Sequence, residues 1–123
     1  MASKKVLVEA FYDQISNLVK EMSEMYPEDA DFSFYLTGIQ LMKTANPSMM
    51  IKYVVENVSP FENMIIEKND KFFLDYGFEE YEGHVNSNIF VKLKQYISTM
   101  SESSKECVWK YIHNIMRLSK ACS

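Results

Sequence analysis

The residues best suited to chemistry lie in one acidic stretch of the sequence. Carboxylates and an imidazole stand within ten residues of one another, and they are Asp75, Glu79, Glu80, Glu82 and His84. Calcium loops place such ligands at fixed alternate positions around a central glycine, and this stretch lacks that register. We therefore favour a solvated acidic loop with inward-turned aromatic residues and no metal. Two alternatives stay open: a metal site of another kind, and a surface that binds a basic partner through Glu79, Glu80 and Glu82.

Cysteine and histidine are the other residue types that could support catalysis or bind a metal. The chain has two of each, and they are Cys107, Cys122, His84 and His113. A general base needs a nucleophile and an orienting group within hydrogen-bond reach, and neither histidine has an obvious partner nearby in the sequence. Cysteine or histidine pairs at zinc-ligand spacing are absent too. The sequence therefore predicts no catalytic residue, no bound metal and no cofactor.

The charge balance disfavours binding to nucleic acid. The formal net charge is −4 at pH 7, and Arg117 is the one arginine among 13 basic residues. Binding to phosphates requires lysine and arginine gathered on one face of the protein. We therefore expect no direct contact with nucleic acid.

No segment of the sequence has the length and apolarity of a membrane span. The longest uncharged, apolar-leaning run covers residues 32–42, and a span needs about 20 residues. Charged residues also interrupt the first twenty positions, so no secretory signal is visible. The two cysteines fall in one predicted helix, about 22 Å apart, and cannot bridge each other. We expect a soluble protein in a reducing, intracellular compartment.

Apolar spacing predicts an all-α fold, a compact bundle of five to six helices in a single domain that covers residues 1–123. Glycine and proline number only three each, which is few for a fold built from many hairpins. The clearest helix is the first, which should end before Pro27 because a residue that precedes proline is pushed out of the helical region. Its apolar stripe consists of Leu7, Phe11, Ile15, Leu18, Met22 and Met25.

Each later helix is predicted to begin at a residue that can cap its first turn. Two of these starts have the pattern of a capping box, Ser59 with Glu62 and Ser103 with Glu106. The remaining caps are Asp29 or Asp31, Asn46 ahead of Pro47, Asn69 or Asp70, Asn86 or Asn88, and Ser101 as the alternative to Ser103. Residues 75–85, with two of the three glycines, form the acidic aromatic loop between helices.

Methionine and aromatic residues are unusually frequent and suggest a partner surface. The chain has nine Met, eight Phe and eight Tyr residues. The flexible thioether suits adaptable binding grooves, but it also fills gaps in cores, so both interpretations stay open for each residue. The candidates for an exposed partner surface are Met49, Tyr53, Met64, Trp109 and Met116.

Several short segments carry a resemblance to a known family. They are YPEDADF at 26–32, NP at 46–47, FEN at 61–63, KFFL at 71–74 and VWKYI at 108–112. With these segments the chain resembles a family of small helical proteins encoded by large nucleocytoplasmic DNA viruses of algae and protists. The matching residues are turn and packing residues, so the resemblance carries over no catalytic residue. It implies a virus-encoded protein that acts in the cytoplasm or nucleus of a host cell or is packaged in the virion.

These observations favour a non-enzymatic, helical protein-interaction module of viral origin. Its partner would be a host or viral protein, held in a groove between helices or on the last helix around Trp109 and Met116. Association into a homo-oligomer is a further option. The alternatives are a minor structural component of the virion and a viral inhibitor of host cell death, although the Asn-Trp-Gly-Arg type of motif found in helical apoptosis regulators is absent.

Overall fold

The computed structural model describes residues 3–74 and 89–123, and every regular element in these two ranges is helical. The α-helices are α1 (Lys4–Met25), α2 (Asp31–Ala45), α3 (Pro47–Asn57), α4 (Glu62–Ile66), α5 (Lys71–Leu74), α6 (Ile89–Tyr96) and α7 (Glu102–Cys122). Short 3-10 turns occupy Ser59–Phe61 and Ile97–Thr99. Five of these α-helices have eight or more residues, so the predicted all-α bundle is confirmed. The predicted loop at 75–85 and the caps Asn86 and Asn88 lie outside the described residues.

The two longest helices, α1 and α7, pack along each other at the centre of the bundle. The side-chain amide of Asn114 in α7 donates to Oε1 of Gln14 in α1 over 3.3 Å. Helix α2 packs on α1, while α3 and α4 pack on α7. The apolar stripe predicted for α1 supplies the core, since Phe11, Ile15 and Leu18 are buried. In the described part of the chain no helix has the length and apolarity needed to cross a membrane.

Most of the predicted helix boundaries are confirmed. Helix α1 ends at Met25, two residues ahead of Pro27, and α3 begins at Pro47. Before α2, Oδ1 of Asp29 accepts the backbone N–H of Asp31 over 2.9 Å. At the start of α7, Oγ of Ser101 accepts the backbone N–H of Ser104 over 3.2 Å, so Ser101 is the cap.

Both predicted capping boxes are wrong. Ser59 is itself the first residue of the 3-10 turn Ser59–Phe61, and Val58 before it is helical as well, so Ser59 lacks the extended backbone that a capping residue requires. Ser59 therefore makes no capping hydrogen bond. Ser103 lies inside α7, and Glu106 instead forms an ion pair with Lys68 over 2.6 Å.

The end of α4 is closed by a Schellman motif with a lysine at the left-handed position. Lys68 has φ of 56°, a conformation that glycine adopts at less cost. The backbone N–H of Asn69 donates to the carbonyl of Met64, and that of Lys68 donates to the carbonyl of Ile65. With the Lys68–Glu106 ion pair, this turn ties the end of α4 to α7.

Because Ser59 caps no helix, we predict that its hydroxyl does not stabilise the fold. Its hydroxyl is buried and finds no hydrogen-bond partner among the described residues. We expect Ser59→Ala to leave the free energy of unfolding unchanged or to raise it by up to about 1 kcal/mol, because a desolvated hydroxyl is removed. Ser101→Ala is the matched control and should lower the free energy of unfolding by about 1 kcal/mol, because it removes a real cap. Urea unfolding of the two variants compares them, and an equal loss in both would contradict this account.

Candidate partner surface

Helix α2 carries apolar side chains on two opposite sides. Towards the core it buries four residues, and they are Phe32, Tyr35, Ile39 and Met42. On the opposite side Phe34 is 59% exposed and Leu41 is 65% exposed. Since they stand seven residues apart, these two side chains share one face of the helix, about 10 Å apart along its axis. The residues exposed on this side, termed the α2 face, are Ser33, Phe34, Thr37, Gln40, Leu41 and Thr44.

The α2 face has no charged residue. The charges of α2 are Asp31 at its first residue and Lys43 near its end, and both form ion pairs inside the molecule. Oδ2 of Asp31 lies 2.9 Å from Nζ of Lys92, and Nζ of Lys43 lies 2.7 Å from Oε2 of Glu9. The exposed side of a surface helix ordinarily carries charged and polar residues opposite its apolar stripe. The absence of charge from this face therefore sets α2 apart from an ordinary surface helix.

The hydroxyl groups of the α2 face are already satisfied by the helix backbone. The hydroxyl of Ser33 donates to the carbonyl of Ala30, that of Thr37 to the carbonyl of Ser33, and that of Thr44 to the carbonyl of Gln40. A hydroxyl bonded back to its own helix needs no partner from another molecule. A partner that covers the α2 face would therefore leave these hydroxyl groups hydrogen-bonded and would bury mainly apolar surface.

The structure places the predicted partner residues elsewhere. Trp109 is 3% exposed and Met116 is 1% exposed, so the prediction that they form an exposed surface is wrong. Contacts from α1, α3 and α4 surround α7 and widen its buried stripe to include both side chains.

The other predicted partner residues do not form an exposed patch in the described part of the chain. Met49 and Tyr53 on α3 and Met64 on α4 are half-buried and pack against the core. The acidic candidates lie outside the described residues, and they are Glu79, Glu80 and Glu82.

A second apolar surface is the groove between α1, α3 and the end of α7. Its volume is about 460 Å³, which falls within the ordinary range of ligand pockets. Its apolar lining consists of Val8, Pro47, Ile51, Val55 and Cys122, and charged residues also line it. The hydroxyl of Tyr12 donates to the carbonyl of Pro47 over 2.6 Å and so fixes the start of α3 against α1.

A cluster of ionised groups holds the turn before α2 against α6. Oδ2 of Asp29 lies 2.6 Å from Nζ of Lys92 and accepts the hydroxyl of Tyr96 over 2.5 Å. The side chains of Lys92 and Asp29 are only 9% and 12% exposed. Nζ of Lys92 also lies 5.6 Å from the centre of the Phe32 ring, within range of a cation–π contact. This cluster orients the start of α2, and therefore the α2 face, on the bundle.

The pKa values of the cluster follow from these contacts. Burial alone would raise the pKa of Asp29, but hydrogen bonds from Lys92, Tyr96 and the backbone N–H of Asp31 outweigh it and lower the pKa to about 2. For Lys92 the directions are reversed: burial alone would lower its pKa, but its hydrogen bonds to Asp29 and Asp31 outweigh burial and raise the pKa. Both groups therefore stay charged around neutral pH. Each is held by hydrogen bonds, an arrangement typical of a structural ion pair.

The thiols and possible metal ligands of the described residues offer little reactivity. Both cysteines lie in α7 without a disulfide, as the sequence predicts. Burial raises the pKa of Cys107, with a contribution from Glu21, and burial also raises the pKa of Cys122. A raised pKa keeps a thiol protonated and weakly nucleophilic at neutral pH. Within residues 3–74 and 89–123, histidine, cysteine and carboxylate side chains form no group of three that could hold a metal ion.

Comparison of the chain with known protein families, with curated proteins and with solved structures finds no match.

Proposed function

We propose that this chain is a non-enzymatic protein-interaction module that binds a partner protein through the α2 face. The observation that carries the proposal is the exposure of Phe34 and Leu41 on a helix face without charge. Exposed apolar side chains that stand singly are normal, but neighbouring ones on a shared surface are typical of interaction sites.

The energetics of the α2 face suit a partner of matching shape. Burial of one Phe or Leu side chain contributes about 1.5–3 kcal/mol. Phe34 and Leu41 are each more than half exposed, so most of that contribution is still available for binding. An amphipathic helix or a groove of a partner could cover a face of this length, and apolar anchors seven residues apart on one helix face are the pattern of helix-in-groove recognition.

The proposal predicts that charge on the α2 face abolishes binding. We expect Phe34→Glu with Leu41→Glu to reduce capture of the partner at least about tenfold, because two carboxylates would lose hydration in the interface. The fold should be retained, since both side chains point to solvent. The measurement is affinity purification of tagged chain from cells that express it, with quantitative mass spectrometry of the captured proteins.

The matched control is Ile66→Glu, because Ile66 on α4 is 58% exposed, as Phe34 is, but lies off the α2 face. A specific partner should be retained by the wild type and by this control, and lost by the double variant. Equal recovery of every captured protein by all three chains would count against the proposal.

The predictions that rest on the viral resemblance stay predictions. They include the viral origin, action in the cytoplasm or nucleus of a host cell, and the two alternatives of a minor virion component and an inhibitor of host cell death. Stoichiometric amounts of the chain in purified particles would support the virion alternative.

A further inference from the structure

The groove between α1, α3 and the end of α7, termed the α3 groove, has its charged residues away from the contact between Tyr12 and Pro47. These charged lining residues are Lys4, Lys52 and Glu56. Lys4 precedes Tyr12 by eight residues on α1, so it lies about 12 Å along that helix from the contact. On α3, Lys52 and Glu56 lie about 8 Å and about 13 Å along the helix from Pro47. The α3 groove therefore has an uncharged end at Pro47 and a charged end at Lys4 and Glu56.

The charged end of the α3 groove has an excess of positive charge. Its two lysines and one glutamate sum to a formal charge of +1, although the whole chain carries −4. Lys4 is exposed and forms no ion pair within residues 3–74 and 89–123. Nζ of Lys52 lies 3.9 Å from Oε1 of Glu56, and both side chains are more than half exposed, so this pair is weak. Both ammonium groups are therefore available to an anion.

The middle of the α3 groove offers a ligand mainly apolar contacts. Val8, Ile51, Val55 and Cys122 line it. The two serines of the lining have their hydroxyl groups bonded within the chain, that of Ser48 to Oδ1 of Asn46 and that of Ser123 to the carbonyl of Lys120. A ligand in the groove therefore needs a polar group only at the charged end.

The dimensions of the α3 groove suit one alkyl chain. The lining residues of α3 extend from Pro47 to Glu56, about 13 Å along the helix. With C–C bonds of about 1.5 Å and tetrahedral angles, an extended alkyl chain advances roughly 1.3 Å per carbon, so about ten carbons span this length. The volume of about 460 Å³ lies in the lower part of the range of ligand pockets, which favours one chain over the two of a diacyl lipid.

We infer that the α3 groove binds the anion of a single-chain aliphatic carboxylic acid of about ten carbons. The carboxylate lies at the charged end near Lys4 and Lys52, and the chain runs past Val55 and Ile51 towards Pro47. This site is separate from the α2 face, so the inference does not rest on the proposed function.

Isothermal titration calorimetry with simple amphiphiles tests the class of ligand. Decanoate should bind with one site per chain and at least about tenfold more tightly than octanoate, because each buried methylene strengthens binding about fourfold. Decyltrimethylammonium has the same chain with a cationic head and should bind at least about tenfold more weakly than decanoate. No binding of decanoate up to millimolar concentration, or equal affinity for the two head groups, overturns the inference. Binding to phosphatidylglycerol vesicles without binding to decanoate would indicate a membrane surface and would overturn it too.

Two valine substitutions test the location of the site. Val55→Trp fills the α3 groove and should reduce the affinity for decanoate at least about tenfold. Val91→Trp is the matched control, because Val91 is also half-buried but lies on α6, away from the groove. The control should bind as the wild type does, and circular dichroism checks that both variants are folded. Wild-type affinity in folded Val55→Trp overturns the inference.

Two lysine substitutions test the charged end without a change in the core. Lys4→Gln should weaken decanoate binding about two- to fivefold at low salt, the range of an exposed ion pair. Lys5→Gln is the matched control, because Lys5 is exposed on the same turn but does not line the groove. Equal affinity of the two variants for decanoate would contradict the assigned position of the carboxylate. The variant Phe34→Glu with Leu41→Glu should bind decanoate normally, so a failure of the proposed function and a failure of this inference are distinguishable.

Discussion

Trp109→Ala is expected to lower the free energy of unfolding by about 3–5 kcal/mol, the loss typical of a large aromatic residue removed from a core. The indole is 3% exposed, and its ring centre lies 5.1 Å from that of Phe73 and 6.3 Å from that of Phe72. Its truncation would leave a cavity where α5 meets α7. Trp109 is the one tryptophan of the chain, so the variant has no tryptophan fluorescence. Its urea unfolding is therefore followed by circular dichroism.

Two further variants show whether the loss of stability comes from the missing indole ring or from any substitution in α7. Trp109→Phe keeps an aromatic ring in the cavity, so we expect it to lose less than about 2 kcal/mol. Arg117→Ala changes an exposed residue of the same helix and should alter the free energy of unfolding by less than about 0.5 kcal/mol. A Trp109→Ala variant as stable as Arg117→Ala would show that this side chain does not belong to the core.

Lys92→Met is expected to lower the free energy of unfolding by about 3 kcal/mol at pH 7, because it leaves the largely buried carboxylate of Asp29 without its cation. Methionine is unbranched and keeps most of the length of the side chain over the Phe32 ring, so the loss reports mainly on charge. Combining Lys92→Met with Asp29→Asn removes both charges and should recover most of the loss. The double-mutant cycle, measured by urea unfolding, gives the energy of the pair. A double variant no more stable than Lys92→Met would contradict this explanation.

The ion pair between Asp29 and Lys92 makes the free energy of unfolding depend on pH. The folded-state pKa of Asp29 is about 2, below its ordinary value of 3.8, so its contribution to stability is present above about pH 4 and disappears as pH falls towards 2. The raised pKa of Lys92 leaves the pair intact up to the alkaline range. The stability difference between the wild type and Lys92→Met should therefore be constant from pH 5 to 9 and shrink between pH 4 and 2.

Helix positions could be predicted from the sequence because they depend on local signals. The stripe that begins at Leu7 and the stop ahead of Pro27 determine α1 without reference to the rest of the chain. Ser59 shows the limit of such signals, since a serine caps a helix only where its own backbone is extended, and Ser59 lies inside a 3-10 turn. The choice between Ser101 and Ser103 depended on the same conformation, which the residue types alone do not reveal.

The candidate surface could be predicted only in part, because exposure depends on which helices meet. The uncharged run at 32–42 is visible in the sequence, but its division into buried Phe32 and exposed Phe34 requires knowledge that α1 covers one side of α2. The sequence leaves the core and the surface open for Trp109 for the corresponding reason, since helices from distant parts of the chain widen the buried stripe of α7. Lys92 has its partner 63 residues away at Asp29, and nothing in the local sequence indicates that pair.

The packing of α1 along α7 affects how the protein folds during its synthesis on the ribosome. The two helices lie far apart in the sequence, and contacts such as Gln14 with Asn114 join residues 100 positions apart. The apolar stripe of α1 therefore leaves the ribosome well before the helix that covers much of it. Formation of the native core must await the synthesis of α7, and the nascent α1 is exposed to chaperones and to aggregation until then.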